Sequence, residues 1–166
     1  GMLSVLADSH SIVRDTFEEA SEEVSISLWD LTQNGPESEL NKTENTQPAM
    51  LAAGIAVYRV WVHQGGPRPA AMAGHSLGEY TALTAAGALS LADAVKLVAA
   101  RGRFMQQAVP AGVGAMAAIL GLEDDRVRGV CEAAAAGQVA QAVNFNSPGQ
   151  VVIAGDLAAI ERAIEL

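Results

Sequence analysis

The chain has 166 residues, half of them apolar, and a formal net charge of -9. This length and apolar content suffice to bury a core, which excludes a disordered chain. An acidic chain with only 4% aromatic residues is poorly suited to nucleic acid or anionic lipid, because both would be repelled and stacking surfaces are scarce. Any anionic ligand therefore needs a local cationic group.

The cysteine content and the apolar segments predict a cytoplasmic protein with no membrane segment. A single cysteine, Cys131, cannot form an internal disulfide, and residues 1–4 lack the basic and apolar regions of an export signal. The longest apolar stretch, around 50–62, is too short to cross a bilayer and is broken up by Arg59, His63 and Gln64.

The first elements predicted along the chain are two helices. Residues 12–24 carry apolar side chains at steps of three and four, which indicates an amphipathic surface helix. A turn at 33–36 and a polar connection over 37–46 follow. Pro48 then suits the first turn of a second helix, which Gly65-Gly66-Pro67 ends. Its apolar residues lie on nearly all sides of the helix, so this helix is expected to be buried.

The next segment predicts a strand followed by two helices. The apolar run 69–73 is typical of a strand, and 77–88 is typical of a helix, so Ser76 is expected at a strand-to-helix turn. A further helix is predicted from Ser90, whose side chain can cap free backbone N–H groups, to about Gln107.

After Pro110 the pattern changes to strand, helix, strand, strand, helix. These elements are predicted at 115–120, 123–136, 138–143, 150–154 and 156–166. One more strand would complete a split βαβ unit of the ferredoxin-like type. We therefore divide the chain into residues 1–110, which contain Ser76, and a partial ferredoxin-like unit, 111–166; the family resemblance described below implies that these are parts of a large and a small subdomain.

The motif Gly74-His75-Ser76-Leu77-Gly78 matches the Gly-x-Ser-x-Gly pattern of a serine nucleophile on a sharp turn. Gly74 and Gly78 are expected to give the turn its clearance. The N–H of Leu77 and the positive end of the following helix would face the hydroxyl, where they could stabilise the oxyanion of a tetrahedral intermediate. A purely structural turn is the alternative.

A serine nucleophile needs a general base, and no histidine of the chain is convincing in that role. His75 adjoins Ser76 on the strand side, so its ring should point away from the hydroxyl. His63 belongs near a helix end, and His10 lies in a polar stretch. Cys131 is expected on an apolar helix face as a small hydrophobe rather than as a rival nucleophile.

Arg101 is predicted on the packed side of its helix, together with Ala94, Leu97, Val98, Phe104 and Met105. A buried guanidinium must meet a carboxylate, a set of carbonyls or a ligand anion, because leaving it unpaired is costly. An internal ion pair is one possibility. Two-point binding of a substrate carboxylate near Ser76 is the other.

Two further polar patterns suit turns. Asn144, Asn146 and Gln150 could present amides to a polar ligand, but Asn-Ser-Pro-Gly at 146–149 is also ordinary turn chemistry. The segment 112–114 precedes a predicted strand rather than following one, so we interpret it as a turn and not as a dinucleotide-binding loop.

With these residues in hand, the chain closely resembles the malonyl-CoA:acyl carrier protein transacylase family along nearly its whole length. The motifs that carry the resemblance are Gly74-His75-Ser76-Leu77-Gly78-Glu79-Tyr80, Thr46-Gln47-Pro48-Ala49, Arg101-Gly102-Arg103-Phe104-Met105-Gln106 and the run 143–155. The resemblance implies an α/β fold: an α/β-hydrolase-like large subdomain and a ferredoxin-like small one. It also implies that Ser76 accepts the acyl group, that Arg101 grips the malonyl carboxylate, and that Gln47, His75, Asn144 and Asn146 border the substrate.

The resemblance also implies that parts of the family pattern fall outside this chain. In the family, a Gly-Gln-Gly-Ser-Gln loop with the second oxyanion donor lies before the position of Gly1, and the catalytic histidine lies beyond the position of Leu166. We therefore expect a fragment that is truncated at both ends and has negligible turnover by itself.

For the complete protein, the resemblance implies transfer of malonyl from malonyl-CoA to the phosphopantetheine thiol of acyl carrier protein in fatty acid biosynthesis, with neither cofactor nor metal. An acyltransferase domain of a polyketide synthase is an alternative, and an esterase-type hydrolase is a more distant one. The non-enzymatic alternative is a truncated module that binds a carrier protein.

Overall fold

The computed structural model describes residues 1–110 and 112–166, and the chain divides into two compact units, Gly1–Gln107 and Ala108–Leu166. The elements that begin in the first unit are helical: α1 Ser4–Ser9, α2 Ile12–Ser21, α3 Leu28–Asn34, α4 Glu37–Leu40, α5 Thr43–His63, α6 Leu77–Ala85 and α7 Leu91–Ala108. Those of the second unit are β1 Gly114–Leu120, α8 Asp124–Ala135, β2 Ala140–Ser147, β3 Gln150–Asp156 and α9 Leu157–Glu165. Ala111, the first residue of the predicted small subdomain, lies outside the described residues.

Helix α5 is the centre of the first unit, but the burial predicted on nearly all its sides is found on only part of them, since Trp61 is exposed. Its Leu51, Ala52 and Ile55 are buried in one cluster with Phe17 of α2 and Val98 of α7. Burying a valine, leucine, isoleucine or phenylalanine side chain contributes about 1.5–3 kcal/mol to the free energy of unfolding. The small residues let neighbouring helices approach closely.

The start of α5 differs from the prediction. The helix begins at Thr43 rather than at Pro48, and the segment predicted as a polar connection contains α4. Asn45 ties the two helices together, because its side-chain amide donates to the carbonyl of Glu39 over 2.9 Å. Pro48 then removes only the N–H that would bond to the carbonyl of Glu44, so the helix passes through it.

The predicted strand over 69–73 is wrong as secondary structure. This segment leads into Gly74 without pairing, and among the described residues the only sheet is formed by β1, β3 and β2. A strand is defined by hydrogen bonds to a neighbour, and an apolar run alone does not supply one.

The buried face of α7 is also rotated from the prediction. Its buried residues are Leu91, Ala94, Val95, Val98, Ala99 and Gly102. Leu97, Phe104 and Met105, which we expected on that face, are exposed. Arg101 lies at the border of the buried face and is half-buried. Ser90 caps the helix as predicted, since its Oγ accepts from the N–H of Asp93 at 3.0 Å.

The second unit is an antiparallel sheet in the order β1-β3-β2, with α8 and α9 on one face. Ile153 of the central strand pairs with Ala117 on one side and Ala142 on the other. It is packed with Cys131 of α8 and Ile160 of α9. The predicted order of elements is confirmed, and so is the mixed α/β fold class.

The end of α8 is held by a contact that the sequence pattern did not indicate. Arg162 of α9 donates to the carbonyls of Ala134 and Ala135 over 2.8–3.2 Å and to Oε1 of Gln138 over 2.8 Å. A cation at this position satisfies carbonyls that have no helical partner and interacts favourably with the negative helix end.

In the described part of the chain, no helix is both long enough and apolar enough to cross a bilayer.

Candidate active site

Ser76 lies at a strained turn immediately before α6. Its φ of 56° and ψ of -114° are outside the regions that residues with a side chain ordinarily adopt. Such a conformation costs about 1–3 kcal/mol and persists only where the surroundings enforce it. The Ser76 side chain does not cap the helix, and the residue is exposed. The turn therefore directs the hydroxyl toward solvent.

Gly74 is what allows this turn to close. A Cβ at Gly74 would lie 2.0 Å from the carbonyl carbon and oxygen of Gly78 and 2.5 Å from the N of Glu79. A Cβ at Gly78 would meet nothing within 4 Å. The prediction that both glycines give clearance is therefore corrected: the close approach requires the missing Cβ of Gly74, whereas Gly78 contributes its backbone.

The first N–H of α6 belongs to Leu77, directly after the hydroxyl. Gly78 N–H bonds to the carbonyl of His75 over 2.9 Å, and Glu79 N–H to that of Ser76 over 3.3 Å. As the first helical residue, Leu77 has no acceptor within its own helix. Its role as oxyanion donor remains a prediction that suits this position.

Arg101 reaches the hydroxyl from α7. One terminal nitrogen of its guanidinium donates to Ser76 Oγ over 2.8 Å, and the other donates to Gln47 Oε1 over 2.7 Å. The guanidinium carbon also lies 5.9 Å from the centre of the Tyr80 ring, at the outer limit of a cation–π contact. The ion pairs among the described residues do not include Arg101. An internal carboxylate partner is therefore not what balances this cation here.

Gln47 is placed beside Arg101 by a close approach of two helices. A Cβ on Gly102 would lie 2.5 Å from Cα of Glu44 at the start of α5, so only glycine permits this spacing. Gln47 follows one turn later, is only 5% exposed, and donates from Nε2 to the sulfur of Met105 at 3.4 Å. With both ends of its amide engaged, Gln47 is a fixed hydrogen-bond acceptor.

The three histidines lie in different surroundings. Ser76 Oγ accepts a hydrogen bond from Arg101. His63 lies in the last turn of α5 and is exposed, and His10 lies 3.5 Å from the Gln64 amide. His75 is exposed next to Ser76 and lines an apolar cleft between α5, α6 and the segment before the turn. Ser76 and Arg101 do not line that cleft.

Asn144 and Asn146 belong to the second unit, on β2. A bulge between Ala142 and Asn144 shifts the register, so that Asn144 pairs with Val152. Bulges redirect the side chains that follow them. Asn144 is half-buried and Asn146 is exposed, and their contact with a substrate remains a prediction.

Cys131 is buried in the core of the second unit, and burial raises the pKa of its thiol. A buried thiol of this kind is unreactive. The prediction that it serves as a small hydrophobe is confirmed.

Comparison with known proteins identifies the family. The family model described as acyl transferase domain matches residues 1–166. The chain belongs to this family. The malonyl CoA-acyl carrier protein transacylase of Escherichia coli K12 is 62% identical over 163 residues, which are 98% of this chain and 53% of that protein. The chain therefore spans about half the length of the curated relatives it matches.

Solved acyl transferase structures agree with this assignment. The malonyl-CoA:acyl carrier protein transacylase from Xanthomonas oryzae superposes with a TM-score of 0.96 at 61% identity, over 99% of this chain and 52% of that one. A malonyl transacylase solved with a type II polyketide acyl carrier protein superposes with a TM-score of 0.95 at 53% identity, over 99% of this chain and 53% of that one. The resemblance inferred from the motifs is thereby confirmed.

Sequence reasoning identified Ser76 and Arg101 in this acyl transferase domain and placed them near one another, but it did not predict their direct hydrogen bond. The contacts of Arg101 with Tyr80 and of Gln47 with Met105 were not predicted. Tyr80 had a signal, because residues in the first turn after a nucleophile lie close to it. The signal for the placement of Gln47 was Gly102, since a glycine inside a helix indicates close packing.

Proposed function

We propose that the complete protein transfers a malonyl group from malonyl-CoA to the phosphopantetheine thiol of acyl carrier protein, with Ser76 as the acyl acceptor. The observation that carries this proposal is the guanidinium of Arg101, 2.8 Å from Ser76 Oγ and without an ion-pair partner among the described residues. A cation at this distance from a nucleophile suits an acyl group that ends in a carboxylate.

The reaction would proceed in two half-reactions. Ser76 Oγ attacks the thioester carbonyl, the C–S bond breaks, the hydroxyl proton passes to a base and coenzyme A leaves as the thiol. The carrier thiol then attacks the serine ester, and its proton restores the hydroxyl. We assign the N–H of Leu77 to the oxyanion of each tetrahedral intermediate. None of the three histidines of this chain is assigned as the base.

The remaining residues would hold the acyl group. Arg101 binds the carboxylate through two hydrogen bonds, and Gln47 keeps the guanidinium in place from the protein side. We propose that His75, Asn144 and Asn146 border the substrate. In this scheme, residues 1–110 carry the nucleophile as part of a large subdomain, and 111–166 form part of a ferredoxin-like small one.

The carrier protein is part of the proposal. A related transacylase has been solved with a type II polyketide acyl carrier protein, which keeps a polyketide carrier as the second candidate acceptor. Parallel assays with a fatty-acid carrier and a polyketide carrier would separate the two, and we expect faster transfer to the fatty-acid carrier. We place the reaction in the cytoplasm, in keeping with the unpaired thiol of Cys131.

Intact-protein mass spectrometry tests the function. The complete gene product is exposed to malonyl-CoA with and without Ser76→Ala, and we expect one malonyl adduct that the alanine variant lacks. An adduct that persists in Ser76→Ala excludes Ser76 as the acceptor. Release of free malonate instead of transfer to the carrier indicates a hydrolase, and carrier binding without any adduct indicates a binding module.

A further inference from the structure

The contact between Arg101 and Ser76 engages the nucleophile. We infer that Arg101 restrains Ser76, and that a carboxylate on the incoming acyl group releases it by taking over the guanidinium. This inference rests on the proposed carboxylate-binding role of Arg101. It adds that the same arginine controls when the serine reacts.

The restraint follows from the direction of the hydrogen bond. Arginine only donates, so Ser76 Oγ is the acceptor and commits one of its two lone pairs at 2.8 Å. Oγ needs a lone pair to attack a carbonyl carbon. A charge-assisted bond is about twice as strong as a neutral one, so it draws electron density from Oγ and makes the hydroxyl a weaker nucleophile.

A carboxylate is well suited to break this contact. Arg101 has five N–H donors, and two of them are engaged within the described residues, by Ser76 and Gln47. A carboxylate accepts two parallel hydrogen bonds and brings a full negative charge, whereas the serine hydroxyl is neutral. The guanidinium therefore favours the carboxylate over Oγ.

The guanidinium does not need to leave the site to release the serine. Its other terminal nitrogen stays bonded to Gln47, which is buried and fixed by Met105. A small rotation about this anchor is enough to lengthen the bond to Oγ. A neutral acyl group cannot drive the rotation, so selection of the acyl group acts on the reactivity of Ser76 as well as on binding.

Labelling with a small neutral alkyl fluorophosphonate tests the inference. In this reaction an Oγ–P bond forms, fluoride leaves, and the hydroxyl proton passes to the buffer. The labelling rate of Ser76 in the complete gene product is measured by intact mass with sodium formate, the smallest carboxylate. The matched control contains formamide and sodium chloride at the same ionic strength.

We expect formate to raise the labelling rate of the wild-type protein by about tenfold, because Ser76 Oγ loses its hydrogen bond to the charged guanidinium. Arg101→Met should label at the higher rate with or without formate. Arg103→Met, which removes an exposed arginine two residues away, should behave as the wild type and so controls for a general anion effect.

Several results would overturn the inference. These are a wild-type rate that formate leaves unchanged or lowers, an Arg101→Met rate below that of the wild type, and the same acceleration by formate in Arg101→Met. If Arg101→Met fails to fold, the wild-type comparison of formate with formamide decides alone. The proposed function has its own readout, the malonyl adduct, so each can fail while the other stands.

Discussion

Replacing Gly74 by alanine should destabilise the first unit far more than the same change at Gly78. The Cβ at position 74 would lie 2.0 Å from the carbonyl carbon and oxygen of Gly78, whereas ordinary carbon contacts are about 3.5–4.0 Å. The obstructing atoms are backbone, so they cannot move aside as a flexible side chain can. Overpacking costs about 1–3 kcal/mol and sometimes more, and we expect about 3 kcal/mol here.

Gly78→Ala is the matched control within the same turn. Its Cβ meets nothing within 4 Å, and the residue is the second of α6. Alanine in a helix is favoured over glycine by up to about 1 kcal/mol. The two variants should therefore differ by about 4 kcal/mol, which is roughly a thousandfold in the unfolding equilibrium at about 1.4 kcal/mol per factor of ten.

Urea denaturation followed by circular dichroism measures both free energies of unfolding. Ser76 labelling by the fluorophosphonate reports the turn itself, and Gly74→Ala should lose it at denaturant concentrations where the variant is still folded. Equal stabilities of the two alanine variants, or normal labelling of Gly74→Ala, would refute the steric account of the turn.

Three further predictions concern the arginines and the buried thiol. Arg101→Ala should raise the activation free energy of malonyl transfer by about 2 kcal/mol or more relative to that of acetyl transfer. Equal losses of rate in the two assays would remove the arginine from acyl-group selection. Arg162→Met should lower the free energy of unfolding by about 2 kcal/mol because helix-end carbonyls lose charged donors, whereas exposed Arg126→Met should change it by less than about 0.5 kcal/mol. Because the folded pKa of Cys131 is raised, its stabilising contribution should be present below the ordinary thiol pKa of about 8.5 and be lost as the pH rises above it; Cys131→Val should lack this part of the pH dependence in denaturation curves.

The second unit was predicted well because local pattern and tertiary structure agree there. The alternation in β1 gives half-buried Ala115, Ala117 and Ile119 against exposed Met116 and Leu120, which is what a sheet with one covered face requires. β2 extends to Ser147, because its pairing with Gln150 leaves only Pro148 and Gly149 to turn the chain. β3 extends to Asp156, which pairs with Gly114 of β1.

The first unit was predicted less well because its contacts are not periodic. Apolar residues on α7 were assigned to one face by spacing, but Leu97 and Phe104 are exposed, since the position of neighbouring helices and not spacing alone decides which stripe is buried. The close approach at Gly102 sets that position, and a single sequence does not state which helix a glycine faces.

In the candidate site, too, the features set by local sequence were predicted and those set by helix placement were not. Ser76 followed from a motif whose chemistry requires a sharp turn, and Arg101 followed from a charge among apolar residues. That the two are hydrogen-bonded depends on the mutual placement of α6 and α7. Two neighbouring helices predicted that Arg101 lies near Ser76, but local sequence carries no signal for a direct hydrogen bond between them. Gln47 was found only through resemblance.

The sheet order β1-β3-β2 leaves two outer edges with different properties. β2 carries bulges near Ala142 and Phe145, which disturb the regular spacing that an added strand would need. β1 pairs without interruption from Gly114 to Leu120 and has no partner on its other side among the described residues. For the 166-residue chain by itself, self-association should therefore begin at β1, and a lysine in place of exposed Ala118 would be the simplest way to oppose it.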